Sequence, residues 1–156
     1  MALAQAYLGR ALNQDVLGES IRTCRTPGRF DVLQKDPLVL VDACHNPQSV
    51  QAFLDAWRAV YPNKSGETVL ICAIFADKDV DRMVAMLAKE FSHVVVTQTS
   101  SPRAMPAEQL ACVFEAHGVV PEATFGCVKD AMAYLRGRSF VACGSITTAG
   151  EVAKQW

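Results

Sequence analysis

The stretch of this sequence best suited to chemistry is Asp42-Ala43-Cys44-His45-Asn46-Pro47, which follows the apolar run Leu38-Val39-Leu40-Val41. A strand that gives way to polar residues just before a helix begins is a site-shaped arrangement. In open α/β sheets ligands gather beyond the carboxyl ends of strands, and the free N–H groups of the next helix's first turn favour an anion there. Asn46 suits an N-cap, and Pro47 suits the first helical position, where its missing N–H costs nothing. Asp42, at the strand's end, can accept hydrogen bonds from ribose hydroxyls or pair with a cation. His45, about one turn of loop later, can donate to a phosphate or orient an attacking amine. The same residue types also serve as ordinary caps and loop residues, so spacing alone leaves both readings open.

The elements that must position these residues follow from periodicity. From Pro37 onward, short β-branched apolar runs alternate with longer amphipathic stretches, the mark of an α/β sheet with crossover helices. Strands are expected at 38–43, 68–75, 93–97 and 139–143, with a shorter one at 122–125. Helices are expected at 47–61, 80–91, 107–117, 128–136 and 148–154. Near-continuous apolar strands predict a Rossmann-like, mainly parallel sheet with helices on both faces. The first segment reads differently: a helix over 2–12 with Leu3, Tyr7 and Leu8 at near-helical spacing, then a Pro- and Gly-punctuated linker over 23–28. That helix is either the tail of another domain or folded back on this one, and pattern does not choose.

Composition sets the class. The 156 residues suit one domain with a sizeable core, 51% of them hydrophobic and 20% charged, and the net charge of -1 gives no long-range attraction to nucleic acid or to an anionic membrane. No apolar run approaches the roughly 20 residues of a membrane span, and the N-terminus is interrupted by polar residues too early for a signal peptide. The six cysteines include no C-x-x-C pair, and most lie in apolar runs, the pattern of buried free thiols in a reducing cytoplasm. No zinc site is expected, since only Cys44 and His45 are adjacent. His93 and His117 read as strand-edge and helix-end residues, and Phe53 and Trp57 as one core-facing helical side.

Several motifs in order carry a resemblance. Asp42-Ala43-Cys44-His45-Asn46-Pro47 resembles the Asp-x-Ala-His-Asn-Pro signature that opens the C-terminal domain of folylpolyglutamate and dihydrofolate synthases, members of the Mur ligase superfamily. Upstream, Pro27-Gly28-Arg29-Phe30 is similar to that family's Pro-Gly-Arg segment. Downstream, Ala76-Asp77-Lys78-Asp79, Ser101-Pro102-Arg103-Ala104 and Gly144-Ser145 resemble its Asp-Lys-Asp turn, Pro-Arg-Ala segment and closing Gly-Ser. Cys44 stands where alanine is usual, and Ile146-Thr147-Thr148-Ala149 replaces a more apolar, often aromatic run. The resemblance assigns 26–156 to the C-terminal domain and 1–25 to the tail and linker of a preceding N-terminal ATPase domain.

What the resemblance implies is a half-site. Such enzymes phosphorylate a folate or dihydropteroate carboxylate with ATP, and the glutamate amine attacks the acyl phosphate. The N-terminal domain supplies a phosphate loop and the magnesium ligands, and the C-terminal one closes over the nucleotide. By position, Arg29 would contact the nucleotide phosphates, Asp42 the ribose or purine side, and His45 the terminal phosphate and attacking amine. Lys78, Arg103 and Ser145 would face glutamate, although Asp77 and Asp79 could simply cap the next helix and Ser145 the last one. No Gly-x-x-x-x-Gly-Lys-Ser/Thr loop and no acidic cluster for magnesium occur in these 156 residues. The expectation is therefore that this polypeptide alone is inactive. The alternatives are a stand-alone module of the same fold that binds a nucleotide or amino acid for regulation, and self-association through the first helix.

Overall fold

The structure, a computed structural model, describes residues 2–24 and 26–156. Six strands form one sheet, β1 (Asp31–Lys35), β2 (Leu38–Val41), β3 (Val69–Cys72), β4 (Val94–Thr97), β5 (Ala123–Phe125) and β6 (Phe140–Cys143), in the order β1-β2-β6-β3-β4-β5. Every pair from β2 to β5 is parallel, and β1 adds to β2 antiparallel. β2, β3, β4 and β6 are buried along their whole length, as strands covered on both faces must be.

The seven helices are α1 (Ala2–Leu8), α2 (Gln14–Thr23), α3 (Pro47–Val60), α4 (Val80–Glu90), α5 (Ala107–Ala116), α6 (Val128–Tyr134) and α7 (Ile146–Gln155). Alternate strand residues point to opposite faces, so the core divides in two. Leu40, Leu70, Val94 and Val141 pack with Phe53 and Trp57 of α3, Met83 and Leu87 of α4, and Leu110 and Phe114 of α5. Val39, Ile71, Val95 and Ala142 pack on the other face with Val128 and Ala131 of α6 and Ala149 and Val152 of α7. The doubly covered, mainly parallel sheet expected from the apolar runs is present.

Two elements depart from expectation. The first helix ends at Leu8, because Gly9 takes φ 62°, and α2 follows under an Asn13 cap whose Oδ1 accepts from the Asp15 and Val16 amides. No described side chain from Leu3 to Cys24 is buried, and Leu3, Tyr7, Val16 and Ile21 stand exposed. β1 escapes pattern reading because it is a half-buried edge strand with a register shift between Val32 and Gln34. Only Cys44, Cys72 and Cys143 are buried; Cys24 and Cys112 are exposed and Cys127 is intermediate, with all six free. No helix among the described residues is long and apolar enough to cross a membrane.

Candidate functional site

The sheet order places β6 between β2 and β3, so the loops after these three strands meet at one edge. Gly144 makes that meeting possible. It has φ 111°, and a Cβ there would lie 2.5 Å from the Ala73 carbonyl oxygen of the neighbouring loop. Ser145 then caps α7: its Oγ accepts from the Thr148 amide at 3.0 Å and shares a hydrogen bond with Thr148 Oγ1, whose hydroxyl donates to Ala73 O. With 1% of its surface exposed, the Ser145 hydroxyl is occupied by the cap. The cleft beside it is lined instead by Ile146.

Asp42 ties the upstream segment to this edge. Its Oδ2 accepts from the Phe30 amide and its Oδ1 from the Cys44 amide, both at 2.8 Å, and only 7% of the residue is exposed. The Ala43 amide donates to Gly28 O at 2.8 Å, and a Cβ at Gly28, where φ is 71°, would lie 3.7 Å from the Ala149 Cβ and 4.0 Å from the Ala43 Cβ. Phe30 also takes a left-handed conformation, φ 44°, an arrangement that costs a side-chain-bearing residue free energy. Its ring packs on Phe53 and Tyr61, which holds the turn. Arg29 is thus presented between two left-handed residues, exposed and with no ion pair among the described residues. Arg29 and Asp42 line one shallow cleft of about 210 Å³.

His45 sits on the other side of the same loop. Its Nδ1 lies 2.9 Å from the Ala43 carbonyl oxygen. A carbonyl can only accept, so Nδ1 is the donor in this contact and Nε2 is the ring nitrogen left for another partner. The backbone beneath it is fixed by a capping box: Ser49 N donates to Asn46 Oδ1, while Ser49 Oγ accepts from the amides of both Asn46 and His45. The Asn-x-x-Ser spacing was the available signal for Ser49, whose part in holding His45 the motif reading missed.

His45, Lys78 and Arg103 come together with Phe75 and Ile146 around a cleft of about 230 Å³. The helix cap on α4 belongs to Asp79, whose side chain accepts from Arg82 N, so Asp77 is released for another task. Asp77 instead receives Nε and Nη2 of Arg103 at 3.2 and 2.7 Å, and Lys78 Nζ at 3.1 Å. Hydrogen bonds from Arg103 and then Lys78 pull the Asp77 carboxyl down to about 2. In the loop that carries His45, the buried Cys44 thiol is pushed well above its ordinary value by its hydrogen bond with Cys143 and by burial, so it stays protonated. A larger cleft, about 420 Å³, opens at the other end of the sheet between Lys129, Arg136 and Trp156, and none of the candidate residues lines it.

Comparison with known proteins bears on what this edge is for. Residues 28–143 match the family described as Mur ligase, glutamate ligase domain. The chain belongs to that family. Among similar Mur ligases, the dihydrofolate synthase/folylpolyglutamate synthase of Mycobacterium tuberculosis is 31% identical over 115 residues, covering 71% of this chain and 23% of that protein. A probable bifunctional folylpolyglutamate synthase/dihydropteroate synthase of Halobacterium salinarum is 29% identical over 161 residues, which takes in 100% of this chain and 19% of the relative. Among solved structures, the Mycobacterium tuberculosis folylpolyglutamate synthase complexed with ADP and AMPPCP superposes with a TM-score of 0.84 at 25% identity, over 97% of this chain and 37% of that one. The chain therefore spans less than a quarter of the first two relatives' length.

Proposed function

We propose that this chain is the C-terminal domain of an ATP-dependent ligase that joins glutamate to the carboxylate of folate or dihydropteroate through an acyl phosphate. The observation that carries the reading is the meeting of His45, Lys78 and Arg103 in one cleft at the carboxyl ends of the strands, beside the cleft of Arg29 and Asp42. Similarity to folylpolyglutamate and dihydrofolate synthases supports the substrate class.

In this reading the exposed Arg29 guanidinium takes nucleotide phosphate oxygens, for which a planar, permanently charged donor is well matched. Asp42 uses two of its roughly four acceptor positions on backbone amides and keeps the others for a ribose hydroxyl. Nε2 of His45 receives a proton from the attacking amine, or donates to the phosphate once protonated. Lys78 and Arg103 hold the amino-acid carboxylate, and Ser145 serves through its cap. Residues 1–25 belong to the tail and linker of an N-terminal P-loop domain, which the exposed apolar side chains of α1 and α2 support. In this reading magnesium is held by that domain, beside the phosphates that its P-loop carries. A cytoplasmic setting agrees with six free cysteines.

The test is ATP- and glutamate-dependent phosphate release with folate or dihydropteroate as acceptor. It is run on these 156 residues joined to an N-terminal P-loop domain of the same family, and on the 156 residues alone. The joined protein is expected to turn over and the isolated chain to be inactive. An inactive joined protein, or full turnover by the chain alone, refutes the proposal. Replacing His45 with Ala should slow the joined enzyme by about 10²–10⁴-fold. Strong calorimetric binding of ADP or glutamate to the isolated chain would favour the regulatory module instead.

A further inference from the structure

Asp77 lies outside every role described so far, yet it organises the cleft of His45. The loop that carries it and the loop that carries Arg103 are clamped together by their backbones: Ala76 N donates to Arg103 O at 2.9 Å, Met105 N donates to Ile74 O at 2.9 Å, and Phe75 bridges Ala104. Within that clamp Arg103 is held on two sides. Its Cζ lies 4.7 Å from the centroid of the Phe75 ring, and its Nε–Nη2 edge is taken by the Asp77 carboxylate. Nη1 has no hydrogen-bond partner among the described residues. Lys78 Nζ pairs with the same Asp77 carboxylate at 3.1 Å and has no other ion pair among the described residues.

We propose that Asp77 is a positioning residue for the amino-acid substrate. By bridging Lys78 and Arg103 it keeps two like charges side by side with their remaining donors available to one substrate carboxylate. The inference rests on the function proposed above and adds a residue to it. Two cations and one anion leave the trio a single positive charge, which matches a single carboxylate. Without Asp77 the two cations repel, and each long side chain regains freedom that binding must then remove. A purely stabilising role is a poor account of the trio, because Asp77 and Arg103 are about half exposed and exposed ion pairs add little to folding.

The experiment uses the joined enzyme, with KM for glutamate, KM for ATP, kcat and thermal midpoint read together. Asp77→Asn is expected to raise the KM for glutamate about tenfold, the equivalent of one charge-assisted hydrogen bond lost. KM for ATP and the thermal midpoint should stay where they are, and Asp77→Glu, which restores the charge, should recover part of the loss. On an Arg103→Ala background Asp77→Asn should add less than it does in the wild type, since one end of the bridge is already gone and only Lys78 remains to be held. An unchanged KM for glutamate overturns the proposal. So does a lowered one, which would make Asp77 a competitor of the substrate, and so does a fully additive double variant. If the wild-type joined enzyme shows no glutamate-dependent turnover, the functional reading itself fails and this inference with it. Normal wild-type turnover with an indifferent Asp77 variant sinks the inference alone.

Discussion

Replacing Asp42 with Ala tests what holds the Arg29 turn on the sheet. The carboxylate accepts from the amides of Phe30 and Cys44, each at 2.8 Å, and is almost fully buried. Hydrogen bonds to a charged group are worth about 1.5–3 kcal/mol each, so losing both costs roughly 3–6 kcal/mol. Part returns, because Phe30 is no longer held at φ 44°, and leaving a left-handed conformation recovers about 1–2 kcal/mol. The net loss is therefore about 1–5 kcal/mol, set against the 5–15 kcal/mol that holds a typical domain together. Urea unfolding of the 156-residue chain, followed by tryptophan fluorescence and circular dichroism, measures it as a lower midpoint at unchanged slope. Asp42→Asn keeps one acceptor and should lose about half as much. A loss below about 0.5 kcal/mol, ordinary for surface positions, would show that these two bonds do not hold the Pro27-Gly28-Arg29 turn on the sheet. Arg29→Ala is the control: exposed and unpaired among the described residues, it should shift the midpoint by no more than about 0.5 kcal/mol.

Three further outcomes follow from the same geometry. Gly144→Ala sets a methyl group 2.5 Å from Ala73 O at φ 111°, so backbone strain and overpacking should together remove roughly 2–5 kcal/mol, read by the same urea titration. Glu122 is held below its ordinary carboxyl value by Arg138 and then His93, so in acid its stabilising contribution is present above the unfolded carboxyl pKa of 4.5 and disappears as pH falls through the lower folded value. Glu122→Gln should therefore bring the urea midpoint down near neutrality and flatten its fall in acid, and parallel slopes for both proteins would refute the linkage. In native protein at pH 8, Cys24 and Cys112 should react first with a thiol reagent, whereas Cys44, Cys72 and Cys143 should react only at the rate of unfolding, which a stopped-flow colour assay resolves into separate phases.

The core strands and their helices were legible because each is strongly periodic and buried on a fixed face; β2, β3, β4 and β6 announce themselves as unbroken β-branched or apolar runs. β1 was not, since an edge strand half open to water has no reason to alternate cleanly. The break between α1 and α2 was written in Gly9 and Asn13 but was outweighed by the apolar spacing ahead of it. At the candidate site, Asp42, His45 and Arg29 stood out by residue type and position. Asp77 did not. Its partner Arg103 is 26 positions away, and nothing local distinguishes an aspartate that bridges two cations from its neighbour Asp79, which only caps a helix. Ser145 shows another limit: a hydroxyl after a strand and a glycine reads equally as a substrate contact or as a cap, and the bond from the Thr148 amide that makes it a cap is seen only in the structure.

The insertion of β6 between β2 and β3 explains why the site is built as two clefts rather than one. β2 and β3 are neighbours in sequence among the parallel strands but are separated in the sheet by β6, so their loops stand two strand spacings apart, roughly 10 Å. A side chain at Gly144 would fill the ground between them, and the glycine keeps it low. On the β2 side, Asp42 draws in the Arg29 turn and forms one cleft. On the β3 side, His45 from the β2 loop reaches over β6 toward Lys78 and Arg103 and forms the other. The single loop from Asp42 to Asn46 belongs to both. Any shift of the upstream Gly28 turn, which bonds directly to Ala43, is therefore passed within two residues to His45. In the proposed function the phosphate-facing and glutamate-facing groups are coupled through this one loop, so an Asp42 variant should weaken the second cleft as well as the first, and its KM for glutamate should rise along with its KM for ATP.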